Sequence, residues 1–272
     1  MMQSLYKFSD SFKSRKLIIL ICICVSFFVV NSSFYHVTQE HNQDDHILPE
    51  KNLLYQRNEL SYLLNKQKQI FGQLECARGL NGISSSGGWC SKILKTRDLE
   101  LAEQLSKYLG GKRVGSFGDG PGLYKKYFDE SKTLEIYDAY DGAPFAESVS
   151  SGYVKFLDLS VPQFGLPIYD WIISLEVAEH IPRKYESTFL SNLVRHAKTG
   201  IILSWGTPSQ GGYGHVNGRD IDYVLDTMKK LGFERNIKDS ELLQSHCKFS
   251  WLKKNINVYI RRSEFPVEIN DA

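Results

Sequence analysis

The segment Val114-Gly-Ser-Phe-Gly-Asp-Gly-Pro-Gly122 constrains this chain more than any other stretch. An apolar strand over Lys112–Phe117 runs into glycines at 118, 120 and 122, and residues without side chains let backbone N–H groups approach a ligand at the start of the next helix. About 20 residues on, an ordinary interval for a βαβ nucleotide site, Thr133–Tyr137 predicts a second strand. It ends in Asp138, an acid placed to accept hydrogen bonds from a ribose diol. Read alone, the loop is equally well a glycine-rich surface turn. The order of the remaining segments separates the two readings.

Tyr153–Asp158 reads as a third short strand ending in an acid, and Tyr169-Asp-Trp-Ile-Ile-Ser-Leu175 as an apolar fourth strand leading into Glu176-Val-Ala-Glu179-His180-Ile-Pro182. Gly200–Trp205 reads as a buried fifth strand, Asp220–Leu231 as an amphipathic helix stopped by Gly232, and Asn257–Arg261 as a last strand. Ahead of the first strand, Thr96 is placed to cap a helix whose Leu99, Ala102, Leu105 and Leu109 share one face. A dinucleotide fingerprint needs a small residue three positions after Gly120, and Leu123 stands there. Gly118-Asp-Gly120-Pro-Gly122 together with the Glu176–Pro182 segment instead resembles the class I S-adenosylmethionine-dependent methyltransferases, over roughly Cys90 to Arg262. The resemblance implies an α/β fold built on a Rossmann-like seven-stranded sheet, with S-adenosylmethionine as cofactor. It places Gly118, Asp119, Gly120 and Gly122 under the donor, Asp138 at the ribose, Asp158 at the adenine amino group, and Leu159 and Leu175 beside them. One departure stands out: the family carries an acid that orients the methionine part of the donor where this chain has Ser116.

At 272 residues with 42% apolar content, the chain can bury one α/β core with sequence left over. A net charge of +2, with Lys and Arg scattered, gives no footprint for a nucleic-acid partner. The leftover sequence is N-terminal. Leu17–Val30 is apolar except for Ser26, with Lys7, Lys13, Arg15 and Lys16 before it and no basic residue after it until Lys51. That asymmetry predicts a single-pass signal-anchor, with a cleaved signal peptide and a secreted product as the alternative. The layout expected is a cytosolic tail (1–16), a membrane segment (17–35), a linker and stem helix (36–75), a methyltransferase domain (76–262) and a tail (263–272), with the catalytic domain in the Golgi lumen. Leu53, Leu60, Leu64, Phe71 and Leu74 follow heptad-like steps, which fits either a dimerising stem or a helix packed on its own domain. In an oxidising lumen Cys76 and Cys90 are expected to pair, and Cys247 to be buried.

A sulfonium methyl is already activated, so catalysis needs alignment of the acceptor and removal of its proton. His215 lies in the glycine-rich loop leaving the fifth strand, at the sheet edge where ligands bind in open α/β folds. Glu179 and His180 follow the fourth strand, and with Glu176 their i, i+3, i+4 spacing puts them on one face. Catalysis is therefore assigned to His215, Glu179 and His180. His215 acts either as a direct base, the route expected here, or with the other three as ligand to a divalent metal, a set resembling that of small-RNA 2′-O-methyltransferases and ubiquinone O-methyltransferases. A luminal setting points to a hydroxyl acceptor, a glycan, with Trp205 and Tyr213 available to stack on a sugar face. Rival readings are an NAD-type oxidoreductase, disfavoured by Leu123 and by the lack of a Tyr-x-x-x-Lys pair, and a membrane-anchored non-catalytic scaffold, opened by Ser116.

Overall fold

The computed structural model describes residues 49–79, 82–90 and 97–266. They fall into two units, Met1–Gln56 and Arg57–Ala272, and of the first only residues 49–56, the start of a helix, are described. The apolar Leu17–Val30 segment and Thr96 lie outside the described residues, among which no helix is long and apolar enough to cross a membrane.

The second unit is an α/β/α sandwich. In chain order it contains α1 (Pro49–Ala77, from Arg57 onward), α2 (Leu99–Tyr108), β1 (Arg113–Phe117), α3 (Leu123–Ser131) and β2 (Ile136–Asp141). A short α4 (Ala146–Val149), β3 (Lys155–Phe156), β4 (Tyr169–Ser174), α5 (Glu186–His196) and β5 (Ala197–Leu203) follow. The chain closes with α6 (Ile221–Lys230), β6 (Phe233–Asn236), α7 (Ile237–Ser245), α8 (Ser250–Asn255) and β7 (Asn257–Arg261). The seven strands lie in the order β3-β2-β1-β4-β5-β7-β6. Strands β1 to β5 pair in parallel, and β7 runs antiparallel to both β5 and β6. The parallel strands are near-continuous apolar runs because both faces are covered. On one face Phe117, Tyr169, Ile172 and Ile201 pack with Phe189 and Leu193 of α5; on the other Val114, Trp171 and Ile173 pack with Leu101 and Leu105 of α2 and Leu243 of α7.

Asp98 caps α2, its carboxylate accepting from Leu101 N at 3.1 Å. Strand β2 is displaced from its expected place: it runs to Asp141, so Asp138 is interior to the strand and paired in register with Gly115.

Helix α1 packs on its own domain, one of the two arrangements its heptad-like spacing allowed, but through a polar face rather than an apolar one. Asn65 donates to Phe156 O and accepts from Asp158 N, each at 2.9 Å, and Ser61 Oγ accepts from Phe164 N. Gln69 and Gln73 donate to Glu147 and to Pro144 O. Strand β3 is the edge of the sheet, so these side chains satisfy backbone groups that an exposed edge would leave open. Leu60 and Phe71 face outward instead, at 55% and 61% exposure.

Cys76 and Cys90 form a disulfide, and Cys247 is buried. The bridge closes a short loop at the end of α1, with a sequence separation of 14. Replacing both cysteines by serine is expected to cost about 3 kcal/mol of stability, read as a lower denaturation midpoint that reductant does not lower further. Reductant-insensitive stability of the wild type would contradict it.

Candidate functional site

The loop between β1 and α3 turns sharply because its glycines adopt conformations closed to other residues. Gly118 has φ +106°, and a Cβ there would stand 2.1 Å from Val177 Cγ2. The N–H groups of Gly118 and Asp119 donate to Tyr140 O at 2.8 and 2.9 Å, and Gly120 N donates to Asp141 Oδ2 at 2.7 Å. The loop thus hangs from the end of β2. It forms the floor of a cavity of about 760 Å³ at the carboxyl ends of the parallel strands, where ligands bind in open α/β sheets.

The cavity has an ordered lining. At one end stand Ala143, Phe145, Ala146 and Val149 with Leu157, Asp158 and Leu159. Asp158 is buried; its Oδ1 accepts from Ser160 N at 2.8 Å, while Oδ2 has no partner among the described residues and calls for a donor. Asp141 stands in the middle, its oxygens accepting from Gly120 N and Ala143 N. Asp138, expected at the ribose, is not part of the lining. Successive strand residues face opposite sides of a sheet, and Asp138 shares the side of Tyr140, where it accepts a 2.9 Å bond from Tyr169 OH. Asp141 shares the side of Tyr137, which does line the cavity. Of the other expected cofactor residues, Gly118, Asp119, Gly120, Leu159 and Leu175 line the cavity, whereas Gly122 caps α3 in a left-handed conformation.

Beyond the glycine loop the cavity continues between Ser116, Asp119, Tyr124 and Tyr137 and the segment Phe249–Leu252, which enters from the insertion between β6 and β7. Asp119 is buried there: Oδ1 accepts from Ser116 Oγ at 2.8 Å and from Tyr137 OH at 2.6 Å, and Oδ2 from Lys125 N at 3.3 Å. Burial outweighs these bonds and lifts its carboxyl to about 6.

On the acceptor side the structure brings Glu179, His180 and His215 together, each offering a ligand atom within 4.8 Å of the others. The imidazoles of His180 and His215 meet edge to face at 4.9 Å. Glu179 is fully buried, no side chain among the described residues donates to its carboxylate, and burial followed by the neighbouring Glu176 raises its carboxyl. Burial pushes the His215 imidazole below its ordinary value, and Nδ1 has no partner among the described residues. Glu176 is absent from the cluster: at φ +57° it turns its carboxylate to Ser204 Oγ at 2.8 Å. Two imidazoles and a buried carboxylate are a donor set that fits a divalent ion.

The His215 loop is fixed at its base. Val216 N and Asn217 N donate to Glu179 O at 2.9 and 3.0 Å, and Glu186 accepts from Asn217 Nδ2, from Arg219 and from the Tyr223 hydroxyl. Trp205, expected to stack on a sugar, is 3% exposed and donates from Nε1 to Asn217 O. Trp89, by contrast, lines the cavity. It lies 5.4 Å from the His180 ring and 5.5 Å from Tyr213, at the end of the disulfide-closed loop. A Cβ on Gly87 or Gly88 would come within 2.3 Å of His180 O or 2.0 Å of Gly142 O, so this loop seats directly against both sides of the cavity mouth. The signal for Trp89 was its Gly-Gly-Trp setting beside Cys90; which element it met was not in the sequence.

A sheet ordered β3-β2-β1-β4-β5-β7-β6, with β7 reversed and a glycine loop under a cavity at the carboxyl edge, decides the fold. It is the class I S-adenosylmethionine-dependent methyltransferase fold. No family model matches the sequence, and no curated protein does. Among solved structures, one match is the magnesium protoporphyrin IX methyltransferase of Synechocystis PCC 6803 with bound S-adenosylmethionine, at 18% identity over 59% of this chain and 76% of that one, with a TM-score of 0.43. A sugar N-methyltransferase from Streptoalloteichus matches at 12% identity over 62% and 89%, with a TM-score of 0.48. An amino pentose methyltransferase from Micromonospora echinaspora matches at 11% over 61% and 92%, with a TM-score of 0.46.

Proposed function

We propose that this chain is an S-adenosylmethionine-dependent methyltransferase that O-methylates a hydroxyl of a glycan in the secretory pathway. The observation that carries the reading is that one continuous cavity joins the acids around the glycine loop to the Glu179, His180 and His215 cluster. Asp158 would hold the adenine of the donor and Asp141 its ribose, and the sulfonium group would supply the methyl at the end of the cavity lined by His215. The neutral His215 imidazole is placed to accept the acceptor hydroxyl's proton. His180 and the fixed Val216-Asn217 backbone hold that imidazole in place. Trp89 and Tyr213 offer ring faces at the mouth, the kind of surface on which a sugar stacks. A divalent ion held by Glu179, His180 and His215 would supply a lower acceptor pKa.

The luminal placement rests on the charge asymmetry about Leu17–Val30 and is supported by the Cys76–Cys90 disulfide, since such bonds persist in oxidising compartments. Incubating the full chain with S-adenosylmethionine and panels of glycans, peptides and lipids should give a 14 Da gain, about one methylene, on glycans alone. Transfer to peptide or lipid only would overturn the acceptor class. In intact microsomes the catalytic domain should resist added protease, and digestion without detergent would sink the luminal assignment.

A further inference from the structure

We infer that Asp119 holds the α-ammonium group of the donor, replacing the acid that β1 lacks at Ser116. This rests on the methyltransferase reading. With adenine at Asp158 and ribose at Asp141, the amino-acid tail of the donor runs toward the end of the cavity lined by Asp98, Ser116, Asp119, Tyr124 and Tyr137. That tail carries a cation, and a cation removed from water needs a carboxylate beside it. Of the six carboxylates lining the cavity, Asp141, Asp158, Glu176 and Glu179 are already placed, which leaves Asp98 and Asp119. Asp98 is committed: Oδ1 caps α2 and Oδ2 accepts from Lys248 N at 2.6 Å and Phe249 N at 3.1 Å. Asp119 remains. Ser116 and Tyr137 both donate to its Oδ1, which fixes the carboxyl in the cavity wall, and its Oδ2 keeps only the long 3.3 Å bond from Lys125 N. Ser116 thereby acquires a use: its hydroxyl turns inward a carboxylate that a strand acid at that position would repel.

The electrostatics agree. The titratable groups facing Asp119 among the described residues are Tyr137 and Asp141 from β2 and Tyr124 from α3, and none of these is cationic. Without ligand its carboxyl titrates at about 6, raised first by burial, with Asp141 adding to the rise. An ammonium beside it favours the ionised form. Affinity for a ligand bearing that group is therefore full above about 6 and falls as pH drops through it, because a proton must leave before the ion pair forms.

The test is calorimetric titration of the full chain with S-adenosylhomocysteine and with 5′-methylthioadenosine, which shares the nucleoside and sulfur but lacks the amino-acid tail. Asp119→Asn should weaken S-adenosylhomocysteine roughly tenfold to hundredfold and leave methylthioadenosine unchanged. Equal loss for both ligands, or loss for neither, overturns the assignment. If the variant does not fold, the wild type decides: the preference for S-adenosylhomocysteine over methylthioadenosine should shrink from pH 7 to pH 5, and a constant preference overturns it. A wild-type chain that binds neither nucleoside removes the methyltransferase reading and this assignment with it.

Discussion

His215→Ala should slow methyl transfer on the order of 10²-fold or more while donor affinity stays at the wild-type value. An alcohol is a poor nucleophile, and burial with the neighbouring Glu176 raises the Glu179 carboxyl toward its protonated form, which does not take a proton. Burial lowers the His215 imidazole, so it is neutral and available, and its loop is held by two backbone bonds to Glu179 O and by the Glu186 network. The nucleoside end of the cavity lies beyond the glycine loop, which is why titration with S-adenosylhomocysteine should not register the change. Chelation should leave wild-type activity nearly intact if His215 acts directly. Activity abolished by a chelator and restored by Mg²⁺ or Mn²⁺ would instead assign proton removal to a metal-bound hydroxyl. Full activity in His215→Ala would refute the site.

Asp141→Ala should reduce donor affinity on the order of a hundredfold, and Asp138→Ala should leave it unchanged. The Asp141 carboxylate accepts from Gly120 N and Ala143 N and lines the cavity, so its removal strips acceptors from the ribose diol and unties the glycine loop. Charge-assisted bonds of this kind are each worth about 1.5–3 kcal/mol, and two leave a deficit near the upper end of that range after the loop relaxes. Asp138 touches Tyr169 OH on the opposite side of the sheet. Calorimetric titration of both variants separates them. Loss of affinity in Asp138→Ala with Asp141→Ala unaffected would restore the assignment made from the sequence.

That pair of aspartates shows where the sequence was legible and where it was not. The succession of β1 to β5 and β7 along the chain followed from apolar runs punctuated by glycine and acid, signals that are local and survive any packing, whereas β6 went unread and the sheet itself came from the family resemblance. The end of β2 did not follow, because Ile136-Tyr-Asp-Ala-Tyr-Asp141 offers two acids three residues apart, and only pairing with β1 and β3 shows that the strand continues past the first. A strand alternates faces, so an error of three residues moved the ribose acid to the wrong side of the sheet. Glu179, His180 and His215 were found because two share one turn and the third sits in the next loop at the same sheet edge. Trp89 and Phe249–Leu252 were missed for a different reason. They reach the cavity from a disulfide-closed loop and from an insertion between β6 and β7, neither of which has a periodic signal. Helix α1 was legible in part, since its spacing allowed packing on its own domain, but its Ser61, Asn65 and Gln69 row rather than an apolar seam covers the open edge of β3.

Where the donor sits is measured most directly by a crystal structure of the full chain with S-adenosylhomocysteine. It should show the adenine amino group on Asp158 Oδ2, the ribose hydroxyls on Asp141 and the sulfur facing the His215 imidazole. A ligand whose ribose avoids Asp141, or whose sulfur points away from the His180 and His215 pair, would contradict this placement.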